Sequence, residues 1–437
     1  MEKLHIAVAP HKYLPPEILA EVFLYCLHHD PLDGRLRISD FPPHPLLAPW
    51  VLSHVCSRWR WIALGEKRLW NSIYYEGNSW RHTLLLEEAF KHSGQSMLQL
   101  EARESGNMLY KSFLREVVLL QSHRITSLVL DVAIATLKNF LLLPSGLFDE
   151  LECVKIQIRR NRGHISMPPA TVFQGAPHLR HVTIPLYNQS PLDLTLPWDQ
   201  LTYLALIPGP IELTDSLEVL SLCTSLSEYH LCPCPDGQSP IQVFPPASIQ
   251  LPHLRKLGLK AMSWRPLYAD FFRPLVIPKL EQFAFVLSGP FEDYLKELRE
   301  TIDRLSIPDV RLELVLHYVG RDGGDIVRLA RSLPPLTSIK AYDCYLPAST
   351  IELIAQDVCF QALTSLEVLT GAENLVEMFK AHWVRARQSN NMHMGIRSAT
   401  IEVIDASAKD ISELSRDIAM IQKQLGIIGA KITLQRF

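Results

Sequence analysis

From about residue 125 onward one short pattern recurs: apolar, two variable positions, apolar, one variable, apolar. It reads Ile125-x-x-Leu128-x-Leu130, Leu151-x-x-Val154-x-Ile156, Leu179-x-x-Val182-x-Ile184 and Leu201-x-x-Leu204-x-Leu206. It goes on through Leu226-x-x-Tyr229-x-Leu231, Leu254-x-x-Leu257-x-Leu259 and Leu280-x-x-Phe283-x-Phe285. After a looser unit at Val310 to Leu316 come Leu336-x-x-Ile339-x-Ala341, Leu363-x-x-Leu366-x-Val368 and Ile396-x-x-Ala399-x-Ile401. The first seven starts are 26, 28, 22, 25, 28 and 26 residues apart. Alternation is the mark of a strand with one buried face. A fixed period of this length predicts strands that return through helix or coil, so that each lies parallel beside the last. Leu217 to Leu220 and Leu353 to Val358 are expected return helices. Ala406 to Leu425 is an expected terminal helix, and Lys431 to Leu434 a closing strand.

Upstream, the apolar spacing is helical. Pro15-Pro16-Glu17 opens a helix expected to stop near His29, since proline and an acidic residue suit a first turn. Ile18, Val22 and Tyr25 form one apolar row, and Leu19, Phe23 and Cys26 the next. Asp30 to Pro49 is rich in Asp, Gly and Pro and predicts a loop. A second helix is expected from Val51 to Leu64, then a strand at Ile73-Tyr74-Tyr75. Helices at 81–93 and 108–122 flank a strand at Leu98-Gln99-Leu100.

The repeat resembles the leucine-rich repeat, in a degenerate form. That family's asparagine or cysteine at the ninth position is met here by Cys234 and Cys344 alone; Arg159, Tyr187, Gly209 and Met262 stand elsewhere. The resemblance implies a solenoid with a curved parallel sheet, in which fourth and sixth positions point inward and third, fifth and seventh outward. Outward positions give a candidate protein-binding set on the concave face: Lys155, Gln157, His181, Tyr203, Glu228, His230, Lys256, Lys260, Lys340 and Tyr342. Basic, acidic and aromatic residues are mixed in it, which fits a protein ligand; a nucleic acid would select one sign.

Charge and composition narrow the classes further. Lys+Arg is 43 and Asp+Glu 46, a formal charge of −3, which leaves no basic excess for nucleic acid. Eight scattered cysteines, mostly in apolar surroundings, read as reduced thiols of the cytosol or nucleus. Met1 to Pro15 lacks a signal-peptide pattern, and no apolar run approaches the ~18 residues that span a bilayer. Enzyme motifs are missing: no Gly-x-x-x-x-Gly-Lys, no Gly-x-Gly-x-x-Gly and no Gly-x-Ser-x-Gly. Cys232-Pro233-Cys234, near His230 and Cys223, is the one cluster with metal-ligand chemistry, and its single-residue spacing is too short for a zinc pair. The expectation is a binding protein with no cofactor, no metal and no catalytic residue.

Three further stretches carry a second resemblance. Leu14-Pro15-Pro16-Glu17-Ile18-Leu19-Ala20-Glu21-Val22-Phe23, then Val55-Cys56-Ser57-Arg58-Trp59-Arg60-Trp61-Ile62-Ala63, and finally Leu69-Trp70, resemble the two halves and the closing pair of an F-box. The match covers 14–70, about an eighth of the chain. The layout is similar to F-box proteins numerous in mushroom-type fungi. The connection from Asp30 to Pro49 is longer and richer in proline than the family's. The resemblance implies an all-helical module that docks on the Skp-type adaptor of a cullin ubiquitin ligase, with a protein substrate held by the downstream domain. Leu14, Pro15, Pro16, Ile18, Leu19, Val22, Phe23 and Val55 are then candidates for the adaptor-facing and core surface, with Trp59 and Trp70 locking the module. The expected organisation is a tail (1–13), the F-box (14–70), a linker (71–124), the repeat domain (125–405) and a cap (406–437). A repeat scaffold without ligase association is the other reading.

Overall fold

The computed structural model describes residues 14–28, 36–39, 49–76, 80–103, 119–158, 168–186, 190–233, 248–261, 271–288, 300, 311–317, 336–346, 348–355, 363–372, 374–388, 395–404, 406–427 and 429–436. The chain is a mixed α/β protein that divides into two compact units, 1–197 and 198–437.

The first unit starts with three helices, α1 (Pro16–His28), α2 (Trp50–Val55) and α3 (Ser57–Gly65). Between α1 and α2 lies a strand, β1 (Leu36–Ser39). β2 (Ser72–Glu76), α4 (Trp80–Ser93), β3 (Leu98–Arg103), β4 (Ile125–Val132), α5 (Ile134–Leu141), β5 (Cys153–Ile158) and β6 (His181–Thr183) follow. The six strands pair in chain order, every pair parallel.

Two expectations are corrected here. The connection from Asp30 to Pro49 is not a plain loop and 14–70 is not all-helical, because Leu36 to Ser39 pairs with Ile73 to Glu76. The helix expected from Val51 to Leu64 is broken at Cys56, whose backbone is extended and whose Sγ accepts the Trp59 N–H at 3.4 Å. Cys56 thus serves as the N-cap of α3. Of the helix expected at 108–122, residues 108–118 lie outside the described residues.

The second unit holds β7 (Tyr203–Ile211), α6 (Leu213–Leu222), β8 (Glu228–Pro233), β9 (Ile249–Gln250), β10 (Lys256–Ala261), β11 (Leu275–Val276) and β12 (Gln282–Ser288). β13 (Arg311–His317), β14 (Leu336–Leu346), α7 (Ala348–Ala355), β15 (Ser365–Thr370), α8 (Leu375–Gln388), β16 (Ser398–Val403), α9 (Ala408–Leu425) and β17 (Lys431–Arg436) complete it. β9 and β11 make a small separate sheet. The other nine strands form one parallel sheet in chain order. The loosely spaced unit near Val310 is paired on both sides, with a register shift toward β14.

The repeat pattern sets the core. Leu128, Leu130, Val154, Ile156, Val182, Leu204, Leu206, Tyr229, Leu257, Leu259, Leu366 and Ile401 are all buried, as are the leading residues Ile125, Leu151, Leu179, Leu201, Leu226, Leu254, Leu280, Leu363 and Ile396. Each large aliphatic side chain removed from water contributes roughly 1.5–3 kcal/mol. A second device repeats with the same period. In several units the residue after the leading apolar position offers its carbonyl to two N–H groups of the next unit. Arg180 and His181 donate to Glu152 O, Ser227 and Glu228 to Thr202 O, Arg255 and Lys256 to Ser227 O, and Glu281 and Gln282 to Arg255 O, all at 2.8–3.1 Å. Hydroxyls reinforce it: Ser227 donates to Thr202 O at 2.8 Å and Thr364 to Thr337 O at 3.0 Å. These bonds satisfy the backbone where each strand starts, which an apolar interior requires.

Candidate functional site

The residues of the F-box-like stretch separate into two rows. On α1, Leu19 and Phe23 are buried, with the Phe23 ring 4.8 Å from that of Trp59. Trp70 is fully buried and donates its indole N–H to Ala63 O at 2.7 Å. Its ring meets Trp50 edge-on at 4.9 Å and His92 at 4.8 Å. Arg58 donates to the carbonyl of Leu14, and Arg68 lies 2.8 Å from Glu21 of α1 and 2.8 Å from Glu66. The Arg68 hydrogen bond holds the Glu66 carboxyl below the usual carboxylate range. The three helices are therefore one packed body.

Beside that core, Ile18 and Val22 are 49% and 43% exposed, Val55 54% and Trp61 69%. Leu14, Pro16 and Trp59 are half-buried and Pro15 is exposed. The residues available to a partner are thus Pro15, Ile18, Val22 and Val55, while Leu19, Phe23 and Trp70 hold the module together. Trp61, which the motif reading left without a role, is the most exposed tryptophan there.

On the outward face of the first unit's sheet, Lys155, Gln157 and His181 are exposed, as the alternation requires. The same face extends back to β2. Arg103 Nε lies 3.0 Å from Asp131, the Arg103 guanidinium sits over the Tyr74 ring at 5.7 Å, and Tyr74 donates to Glu76 at 2.8 Å. Burial and the Glu76 carboxylate push the Tyr74 hydroxyl up to about 12. Tyr74, Arg103 and Asp131 were not among the candidates read from sequence. Carrying the alternation back from Ile125 through Leu98 to Ile73 would have found them.

The second unit brings four sequence candidates together. Tyr203, Glu228 and Lys256 are direct neighbours across β7, β8 and β10. Glu228 accepts from His230 Nε2 at 2.8 Å and lies 3.1 Å from Lys256 Nζ. The Tyr203 and His230 rings are 5.7 Å apart. Burial works to raise the Glu228 carboxyl, but the hydrogen bonds from His230 and Lys256 outweigh it and hold it below the ordinary value. Ala205, His230 and Gly258 form the next row. Lys260 is exposed two residues beyond Gly258. Lys340 is half-buried on β14, and the Tyr342 side chain lies outside the described residues. The result is a patch of mixed charge, its groups already paired with one another and one aromatic ring among them. No nucleophile–base pair lies among Tyr203, Glu228, His230 and Lys256.

Among the described residues no group of three or more His, Cys, Asp or Glu side chains is arranged to hold a metal ion. Cys234, the last member of the cysteine cluster, lies outside them. No described helix is long and apolar enough to cross a membrane.

No family model matches the chain, and no curated protein matches it. A crystal structure of a protein from Bacteroides fragilis aligns over 81% of this chain and 81% of that one, with 10% identity and a TM-score of 0.33.

Proposed function

We propose that the chain is a substrate-recognition subunit of a cullin-based, SCF-type ubiquitin ligase, acting by binding and not by catalysis. In this reading residues 14–70 are an F-box that docks on a Skp-type adaptor. Residues 125–405 are a leucine-rich-repeat-like solenoid whose concave strand face holds a protein substrate, and 406–437 close it. The protein then works in the cytoplasm or nucleus. The observation that carries the reading is the pairing of motif and packing at the N-terminus. The two halves of the motif meet through Phe23 and Trp59, and Ile18 and Val22 stay exposed beside them. An apolar row left in water next to a finished core is the expected mark of a partner surface. The mixed patch around Tyr203, Glu228, His230 and Lys256 supports a protein as the second ligand.

One observation favours the second reading, a repeat scaffold without ligase association. β1 ties the long connection between the two motif halves into the sheet beside β2, where the family has helix. Co-expression with a Skp-type adaptor and a cullin separates the two. Recovery of both with the full chain supports the ligase reading; recovery of neither leaves the scaffold.

A further inference from the structure

The last strand of the second unit is finished differently from those before it. In β15 and β16 the inward side chains Leu366, Val368, Ala399, Ile401 and Val403 are at most 3% exposed. In β17 the same register puts Ile432 and Leu434 inward, yet both remain half-buried. The helix beneath, α9, carries an apolar row of Ile411, Leu414, Ile418, Ile421 and Leu425, of which only Ile418 is buried. This is not a fraying helix. Ser407 and Asp410 form a reciprocal capping box at its start, and Gly426, left-handed at φ 68°, closes its end.

The backbone is equally open. Among the described residues β17 pairs with β16 alone. Lys431 N–H donates to Arg397 O at 2.7 Å, which turns residues 431, 433 and 435 toward β16. In a parallel ladder the alternate residues, Ile432, Leu434 and Arg436, then direct their N–H and C=O groups away from it. An open edge above unfinished apolar packing is the arrangement that accepts an added strand.

Charge selects the occupant. β17 has exposed cations at both ends, Lys431 and Arg436, and no acidic residue. A second copy paired edge to edge would bring another Lys431 and Arg436 to this edge and no carboxylate from its own strand, so neither cation would gain an opposite charge. An extended segment that alternates apolar residues and ends in carboxylates meets the same edge with opposite charge. We infer that the free edge of β17, with Ile432, Leu434 and the α9 row beneath it, is a docking site for an extended, acidic-flanked segment of a partner protein, added as a further strand. The site stands apart from the proposed F-box and does not depend on it.

The probe is a fluorescein-labelled peptide of about ten residues, valine alternating with threonine between paired glutamates. Its comparison carries lysines in place of the glutamates. With the full chain, the glutamate peptide is expected to saturate in fluorescence polarisation and to bind roughly tenfold more tightly than the lysine peptide. It should also slow amide exchange at Ile432, Leu434 and Arg436. The double variant Lys431→Glu/Arg436→Glu, at exposed positions, should reverse the preference. Equal affinity for the two peptides, a preference the variant does not reverse, or binding without protection of those three amides overturns the site. Protection without peptide in a chain that sediments as a dimer also overturns it and assigns the edge to a second copy.

Discussion

The imidazole of His230 occupies the space that any side chain at position 258 would need: a Cβ built on Gly258 falls 2.1 Å from its Nδ1 and 2.8 Å from its Cε1. The backbone at Gly258 has no positive φ, so glycine is there for room and not for conformation. Glu228 and Tyr203 hold the ring in that place.

That relationship predicts a coupling. In the wild type, Gly258→Ala displaces the ring and its hydrogen bond to Glu228, worth roughly 1 kcal/mol. This offsets the gain of about 0.5–1 kcal/mol that alanine brings to a strand. In a His230→Ala background only the gain remains, so there Gly258→Ala should stabilise by about 0.5–1 kcal/mol. Urea unfolding of the four proteins measures the cycle. Additive effects would mean that the two residues do not share this space.

His382 on α8 predicts a pH dependence. Its Nε2 is buried without a hydrogen-bond partner, and burial, helped by the charge of Arg385, pushes its pKa down to about 4. The unfolded chain protonates the same residue near ~6.5. The contribution is therefore fully present above ~6.5 and is lost as pH falls from there through the folded value. Between pH 7.5 and 5 the wild type should lose about 2 kcal/mol through this residue. His382→Leu should flatten that slope whatever it does to stability at pH 7.5. Parallel slopes for the two proteins would contradict the assignment.

The strands were legible because the pattern names their buried positions directly. Tyr229, an aromatic in a row of aliphatics, still falls inward and finds Ser216 for its hydroxyl at 2.7 Å. β1 was not legible: Leu36-Arg37-Ile38-Ser39 is too short to show alternation and sits among prolines, aspartates and a glycine. The break at Cys56 was hidden because apolar spacing runs through it and cysteine is not a usual cap. On α1, the rows at 18/22/25 and 19/23/26 have equal periodicity, so only packing decides which one faces water. The Tyr203, Glu228, His230 and Lys256 patch was named residue by residue from the outward positions. Its organising member, Gly258, reads in sequence as a blank.

Trp70 predicts how much the N-terminal helices rely on one side chain. Trp70→Ala removes a fully buried indole and should cost about 3–5 kcal/mol. Trp70→Phe keeps most of the packing but leaves Ala63 O without its donor, and should cost about 1–3 kcal/mol. Thermal unfolding followed by circular dichroism distinguishes them. Equal losses would show that the hydrogen bond, and not the ring, is what matters.

Calorimetric titration of purified Skp-type adaptor into the full chain tests the proposal that residues 14–70 hold it through the exposed row of α1. Wild type should bind. Ile18→Glu/Val22→Glu, which removes two apolar side chains worth roughly 1.5–3 kcal/mol each, should weaken binding by about a hundredfold or more at an unchanged melting temperature. Leu142→Glu, at a residue 65% exposed outside residues 14–70, should bind as wild type does. A wild-type chain that gives no binding, or an Ile18→Glu/Val22→Glu variant that binds undiminished, would contradict the proposal.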